Sequence, residues 1–139
     1  MIGLRLSLFY ATYFGMVGIM LPFFPVWLLS KGVSAAEIGL ILGSATFARI
    51  IFNPIIGQIA DLYGTRQPII FILAVLSSLC FSSYFIVDGF WMIILVTIIF
   101  NGFWSGMQPL AESLTMLSLK QVKIDYGRVR LWGSIAFIL

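Results

Sequence analysis

Charged residues are sparse along this chain, and the stretches between them are long and apolar. Four successive stretches of 25, 23, 21 and 23 residues contain a single charge, that of Arg49. A helix needs about 20 apolar residues to cross the hydrocarbon core of a bilayer. The pattern therefore predicts an all-α polytopic membrane helix bundle. Its helices are expected near 6–30, 38–60, 67–87 and 89–118, with the start of a fifth at 128–139.

The composition indicates that lipid is the solvent. Hydrophobic residues make up 61% of the chain and charged residues 9%, with a mean hydropathy of +1.10, whereas a soluble domain carries about 25% charged residues. The chain has no histidine and one cysteine, Cys80. A disulfide framework, a zinc site and a Ser-His-Asp triad are therefore excluded within it. We expect no enzyme activity, no cofactor, no metal and no nucleic-acid partner.

The basic residues are distributed unevenly between the ends of the predicted helices. If the N-terminus is inside, six basic residues lie on the inner side and one, Lys31, lies on the outer side. This asymmetry predicts a multi-pass protein of the cell (inner) membrane with a cytoplasmic N-terminus. The inner residues are Arg5, Arg66, Lys120, Lys123, Arg128 and Arg130.

Two short turns carry specific signals. Ser34 followed by Glu37 three residues later predicts a capping box at the start of the second helix. Gly64, in the turn after that helix, is free to take a positive φ.

Small and polar residues share one face of the second helix. Arg49 lies at its middle, where a charge costs roughly 2.5–3.5 kcal/mol on insertion scales and usually faces the bundle interior. We predict that this face borders a cavity in which Arg49 attracts an anionic group. The face, about 120° wide at helical spacing, contains Gly39, Gly43, Thr46, Arg49, Asn53 and Gly57.

A narrower polar stripe runs along the fourth helix. Asn101, Ser105, Gln108 and Glu112 are spaced 4, 3 and 4 residues apart, within a sector of roughly 60°. Two interpretations stay open. The stripe either bonds neighbouring helices together or lines a water-filled cavity.

Glu112 and Arg130 are expected at similar depths if the fourth and fifth helices are adjacent and antiparallel. They would then form a carboxylate–guanidinium pair below the membrane midplane. Such a pair either fixes the two helices or provides a site at which a substrate or proton competes.

The stretch GQIADLYGTRQ resembles the loop signature between helices 2 and 3 of the major facilitator superfamily. Gly57, Asp61, Gly64 and Arg66 match it, whereas Leu62 and Thr65 replace basic residues. The stretch YFGMVGIMLPFFPVWLLSKGVSAAEIGLILG is similar to the start of lactose permease-like symporters. The end of the chain, DYGRVRLWGSIAF, resembles the phenylpropionate transporter group still more closely. Its motif residues are Tyr126, Gly127, Arg128, Trp132 and Gly133.

The resemblance implies a transporter built from two six-helix halves. In lactose permease relatives a helix 4 glutamate and a helix 5 arginine bind sugar, and their spacing matches Glu112 and Arg130. Arg128 matches a second arginine of that motif. The phenylpropionate-type group shares the arginine motif but carries different substrates, so a sugar role does not transfer directly.

The expected function is secondary transport of a small organic solute, with an aromatic or other carboxylate favoured, by proton symport and alternating access. A sugar or nucleoside proton symporter is the alternative within this class. A truncated membrane protein with only a binding or regulatory role is the alternative from another class. The fifth predicted helix is short, so we expect either a fragment or a truncated gene product. The expected partners are the solute, protons, lipid and the C-terminal helices of the same transporter.

Overall fold

A computed structural model describes residues 2–121 and 125–138 of the chain. All regular structure in these residues is helical, which confirms the predicted all-α fold class. The helix α3 continues into a 3-10 turn at Ser83–Phe85. The α-helices are α1 (Ile2–Ser30), α2 (Ala35–Tyr63), α3 (Gln67–Ser82), α4 (Phe90–Gln121) and α5 (Tyr126–Ile138). Lys123, which was assigned to the inner side, lies outside the described residues.

Four of these segments are long and apolar enough to cross a membrane: α1, α2, α3 with its 3-10 turn, and α4. Several observed boundaries differ from the predicted ones. The second helix begins at Ala35 instead of 38 and ends at Tyr63 instead of 60. The third ends at Phe85 instead of 87, and the fourth runs from Phe90 to Gln121 instead of 89–118. The second helix and the end of the fourth run past the charge-free stretches because a helix extends into the interface, where charged side chains are solvated. The third helix ends earlier, and the fourth begins later, around a turn in which Gly89 has a φ of 96°.

Both predicted turn signals are confirmed. Ser34 Oγ accepts from the backbone N–H of Glu37 at 3.3 Å, and Glu37 Oε2 accepts from the backbone N–H of Ser34 at 2.8 Å. This capping box satisfies two donors that the first turn of α2 leaves unpaired. At the other end, Gly64 adopts a φ of 70° and donates its backbone N–H to the carbonyl of Ala60.

The chain divides into two compact units, one of residues 28–112 and one that combines 1–27 with 113–139. The first unit contains α2, α3 and most of α4. In it, Lys31 Nζ donates to Asp88 Oδ1 at 2.8 Å. This bond joins the turn before α2 to the turn before α4, so both turns lie at the same end of the unit.

In the second unit, the N-terminal half of α1 packs against α5. Tyr10 is fully buried in a cluster with Leu6 and Val129. A Cβ added at Gly133 would lie 2.8 Å from the Phe14 ring and 3.3 Å from the Tyr10 backbone oxygen. Gly133 of the helix 5 motif is therefore a packing residue, since only glycine allows α1 and α5 this close approach.

Candidate functional site

Arg49 is the residue around which the candidate site is built. It lies at the midpoint of α2 (Ala35–Tyr63), about 21 Å from either end at 1.5 Å per residue. Its Nε and Nη2 atoms both donate to Oδ1 of Asn101 on α4, at 3.2 and 2.9 Å. Two predicted site residues, 52 positions apart, therefore meet near the middle of the span.

Asn101 is held in turn by its own helix. It is 6% exposed, and its Nδ2 donates to the backbone carbonyl of Thr97 at 2.9 Å. The Thr97 hydroxyl is fully buried and bonds to the Tyr84 hydroxyl at 2.9 Å. With its amide nitrogen committed to Thr97, Asn101 can only direct its oxygen towards Arg49.

A second polar pair lies one helical turn further along the same interface. Ser105 Oγ donates to Asn53 Oδ1 at 2.8 Å. This pair and the Arg49–Asn101 pair have the same sequence separation of 52, so α2 and α4 run parallel. Asn101 and Ser105 thus bond a neighbouring helix, as one of the two interpretations of the stripe expects. Whether the stripe also borders a cavity stays a prediction.

Two glycines of α4 allow this close packing, and the sequence reasoning missed them. A Cβ added at Gly102 would lie 2.8 Å from the Phe52 ring, and one at Gly106 would overlap the Ile56 side chain. Glycines four residues apart in an apolar helix are a known signal for close helix association in membranes. Thr97 and Tyr84 were also missed. Thr97 lies four residues before Asn101 and continues the spacing of the stripe, whereas no local sequence pattern connects Tyr84 to Asn101.

The charge of Arg49 is not neutralised by the part of the chain that the structure describes. Two ion pairs of the described residues, Lys31 with Asp88 and Arg66 with Asp61, do not involve Arg49. Asn101, the hydrogen-bond partner of Arg49, is neutral. A cation in a low-dielectric span without a carboxylate beside it favours an anionic ligand.

Glu112, at the far end of the α4 stripe, is half-buried and accepts a hydrogen bond from Gln108 Nε2 at 3.4 Å. Arg130 is exposed on α5. Glu112 belongs to the unit of residues 28–112 and Arg130 to the other unit. Their pairing therefore stays a prediction.

The loop motif after α2 forms a short turn around an ion pair. Arg66 Nη2 donates to Asp61 Oδ1 at 3.2 Å, and the Asp61 side chain is 74% exposed. Gly64 provides the positive φ of the turn. Among the described residues, no atom lies within 4 Å of a Cβ built at Gly57.

The helix 5 motif begins at the first residue of α5. Gly127 donates its backbone N–H to Asp125 Oδ1 at 3.0 Å, an arrangement that fixes the start of the helix. Arg128 is exposed and Trp132 is 55% exposed. The side chain of Tyr126 lies outside the described part of the structure.

An apolar groove of about 560 Å³ lies beside the polar interface, between α2, α3 and α4. It offers few polar groups, and Arg49 is not among its lining residues. The polar interface is therefore the better candidate for a solute with polar groups. The groove is lined mainly by Phe52, Ile56, Ile59, Ile69, Ile72 and Phe103.

The helices are long and apolar, and short turns join them. At mid-span they hold a charge and paired polar side chains. These features define a multi-pass membrane protein whose polar face lies within the bilayer. The chain belongs to the MFS_1 like family of the major facilitator superfamily, whose model matches residues 3–139. Its relatives are transporters and permeases.

It is 37% identical over 134 residues to the probable 3-phenylpropionic acid transporter of Escherichia coli, covering 96% of this chain and 35% of the relative. It is 30% identical over 135 residues to the maltose permease of Geobacillus stearothermophilus, covering 95% and 34%. It is 24% identical over 133 residues to the lactose permease of Citrobacter freundii, covering 88% and 32%. The chain thus spans about a third of the length of these relatives. No solved structure was found to match it.

Proposed function

We propose that this chain forms the first part of a secondary transporter that moves a small organic carboxylate across the cell (inner) membrane by proton symport. Alternating access would arise from rocking of two helix bundles about a site near the midplane. The excess of basic residues at the inner ends supports a cytoplasmic N-terminus. The further helices of the same transporter would complete the bundle.

The observation that carries the proposal is the charge of Arg49 at the midpoint of α2. Among the described residues, this guanidinium has a neutral hydrogen-bond partner and no carboxylate partner. Arginine recognises carboxylates through paired N–H donors. The similarity to a probable 3-phenylpropionic acid transporter supports an aromatic carboxylate.

The test is uptake of radiolabelled 3-phenylpropionate by the complete transporter. Arg49→Gln should reduce uptake strongly while the amount of protein in the membrane stays at the parent level. Arg49→Lys is the matched control for charge and should keep part of the uptake. Normal uptake by Arg49→Gln would contradict the proposal, and a parent transporter that takes up no aromatic carboxylate would do so as well.

A sugar or nucleoside proton symporter is the second candidate. The similarity to the maltose and lactose permeases favours it, and Glu112 is the residue that would accept hydrogen bonds from substrate hydroxyls. Competition separates the two candidates. If a sugar or nucleoside blocks uptake of 3-phenylpropionate by the parent but not by Glu112→Gln, the result would favour the sugar or nucleoside symporter.

Transport is favoured over catalysis because the relatives are transporters. The candidate from another class is a membrane protein with only a binding or regulatory role. Expression of residues 1–139 alone addresses this alternative. The regulatory role is the correct one on two conditions. The chain alone must change the activity of another membrane protein, and proteins of greater length that contain this chain must not support uptake.

A further inference from the structure

We infer that Asn101 is a positioning residue, which orients the Arg49 guanidinium towards a substrate carboxylate without contacting the substrate itself. This inference rests on the proposed function, because it assigns Asn101 a role at the same site. The sequence left open whether Asn101 bonds a neighbouring helix or lines a cavity, and it did not connect Asn101 to Arg49.

The geometry of the Arg49–Asn101 contact leaves part of the guanidinium available. The Nε–H and one N–H of Nη2 converge on a single oxygen, Asn101 Oδ1, at 3.2 and 2.9 Å. A guanidinium carries five N–H donors in a fixed plane. Three remain, and two of them form the parallel fork at the end of the side chain, between Nη1 and Nη2. That fork matches the two oxygens of a carboxylate.

The anchor of Asn101 makes this orientation specific. Its amide nitrogen donates to the Thr97 carbonyl at 2.9 Å, and its side chain is buried on α4. The oxygen is therefore held in one direction before any ligand arrives. A free arginine side chain loses considerable rotamer freedom when it binds a ligand. A fixed acceptor on one edge of the guanidinium orders the side chain before binding, so much of this entropic cost no longer opposes ligand binding.

The neutrality of Asn101 is the second part of the argument. An aspartate at this position would accept the same two hydrogen bonds, but its charge would neutralise Arg49 and compete with a substrate anion. An amide supplies the acceptor without the charge. The pair is therefore suited to hold the arginine still while leaving its positive charge for the ligand.

The first measurement compares Asn101→Leu with Ser105→Ala in the complete transporter, using 3-phenylpropionate. Asn101→Leu keeps the side-chain volume but removes the acceptor. It should raise KM about tenfold, on the scale of a lost hydrogen bond to a charged group, while the maximal rate per transporter stays near the parent value. Ser105→Ala removes the bond from Ser105 to Asn53 on α2 and should leave KM unchanged. An unchanged KM in Asn101→Leu, or the same rise in Ser105→Ala, would overturn the inference.

The second measurement combines the two positions. If Asn101 acts through Arg49, then Asn101→Leu should add little to the KM of Arg49→Lys, because the lysine lacks the fork that Asn101 orients. If Asn101 contacts the substrate itself, the two effects on KM multiply, and the inference is wrong. Asn101→Ala is the substitute if Asn101→Leu fails to reach the membrane.

These outcomes also separate the inference from the proposed function. Normal uptake by Arg49→Gln contradicts the proposed function, and the inference falls with it. Loss of uptake in Arg49→Gln together with a parent-like KM in Asn101→Leu overturns the inference alone.

Discussion

Ser105 Oγ donates to Asn53 Oδ1 at 2.8 Å, one helical turn along from the bond between Arg49 and Asn101. Arg49 and Asn53 of the predicted α2 face therefore share one interface with Asn101 and Ser105 of the predicted α4 stripe, in parallel register. The pair of Ser105 and Asn53 contains no charge, whereas the pair of Arg49 and Asn101 does. The first is suited to hold the helices together and the second to hold an anion.

Loss of the uncharged pair should weaken helix association without affecting substrate affinity. Ser105→Ala leaves Asn53 Oδ1 without its donor and should destabilise the protein by about 0.5–1.5 kcal/mol. The measurement is thermal denaturation of the detergent-solubilised transporter. Ser78→Ala is the matched control, because the Ser78 hydroxyl donates to the Ala74 carbonyl of its own helix. Equal effects of the two alanines would contradict a specific role for the interhelical bond.

The sequence was sufficient for the spans and the turns, since both depend on local physics. Lipid requires long uncharged stretches, and the capping box of Ser34 and Glu37 involves residues three positions apart. The partner of Arg49 could not be predicted in the same way. The identity of that partner depends on the register between α2 and α4, since Arg49 and Asn101 are 52 residues apart in sequence. The close approach of the two helices at Gly102 and Gly106 fixes that register. The pairing of Glu112 with Arg130 is a long-range prediction of the same kind, and it remains one.

The ion pair of Asp61 and Arg66 is expected to act on the transport cycle more than on the fold. Both residues belong to the loop motif, and the Asp61 side chain is 74% exposed, so the pair adds at most about 1 kcal/mol to stability. Asp61→Asn should slow interconversion of the inward- and outward-facing states more than it weakens substrate binding. Maximal uptake rate and equilibrium substrate binding are measured on the same preparation. Equal loss of both, or loss of folded protein, would indicate that Asp61 has only a structural role.

Glu112 and Arg130 are predicted from the sequence to pair, and a charge swap tests this. Glu112→Gln and Arg130→Gln should each reduce activity or expression of the complete transporter, because a single change leaves an unpaired charge in a low-dielectric site. If the pair only fixes helices, the swapped variant with Glu112→Arg and Arg130→Glu should recover expression and uptake together. If either residue binds substrate, the swap should recover expression but not uptake. Two single variants that behave like the parent would show that the residues do not meet.

The close approach of α2 and α4 at Gly102 provides the sharpest test of the interface. Gly102→Ala places a methyl group 2.8 Å from the Phe52 ring, so either the ring or the helix must shift. We expect a loss of about 1–3 kcal/mol of stability, the usual cost of overpacking. Phe52→Leu in the same chain should restore part of this loss by making room. Gly43→Ala is the control, because a Cβ at Gly43 meets no atom of the described structure within 4 Å, and it should leave the melting temperature unchanged or slightly raised. If Gly102→Ala melts at the same temperature as Gly43→Ala, α2 and α4 do not approach each other at this position. The register that joins Arg49 to Asn101 would then be wrong as well.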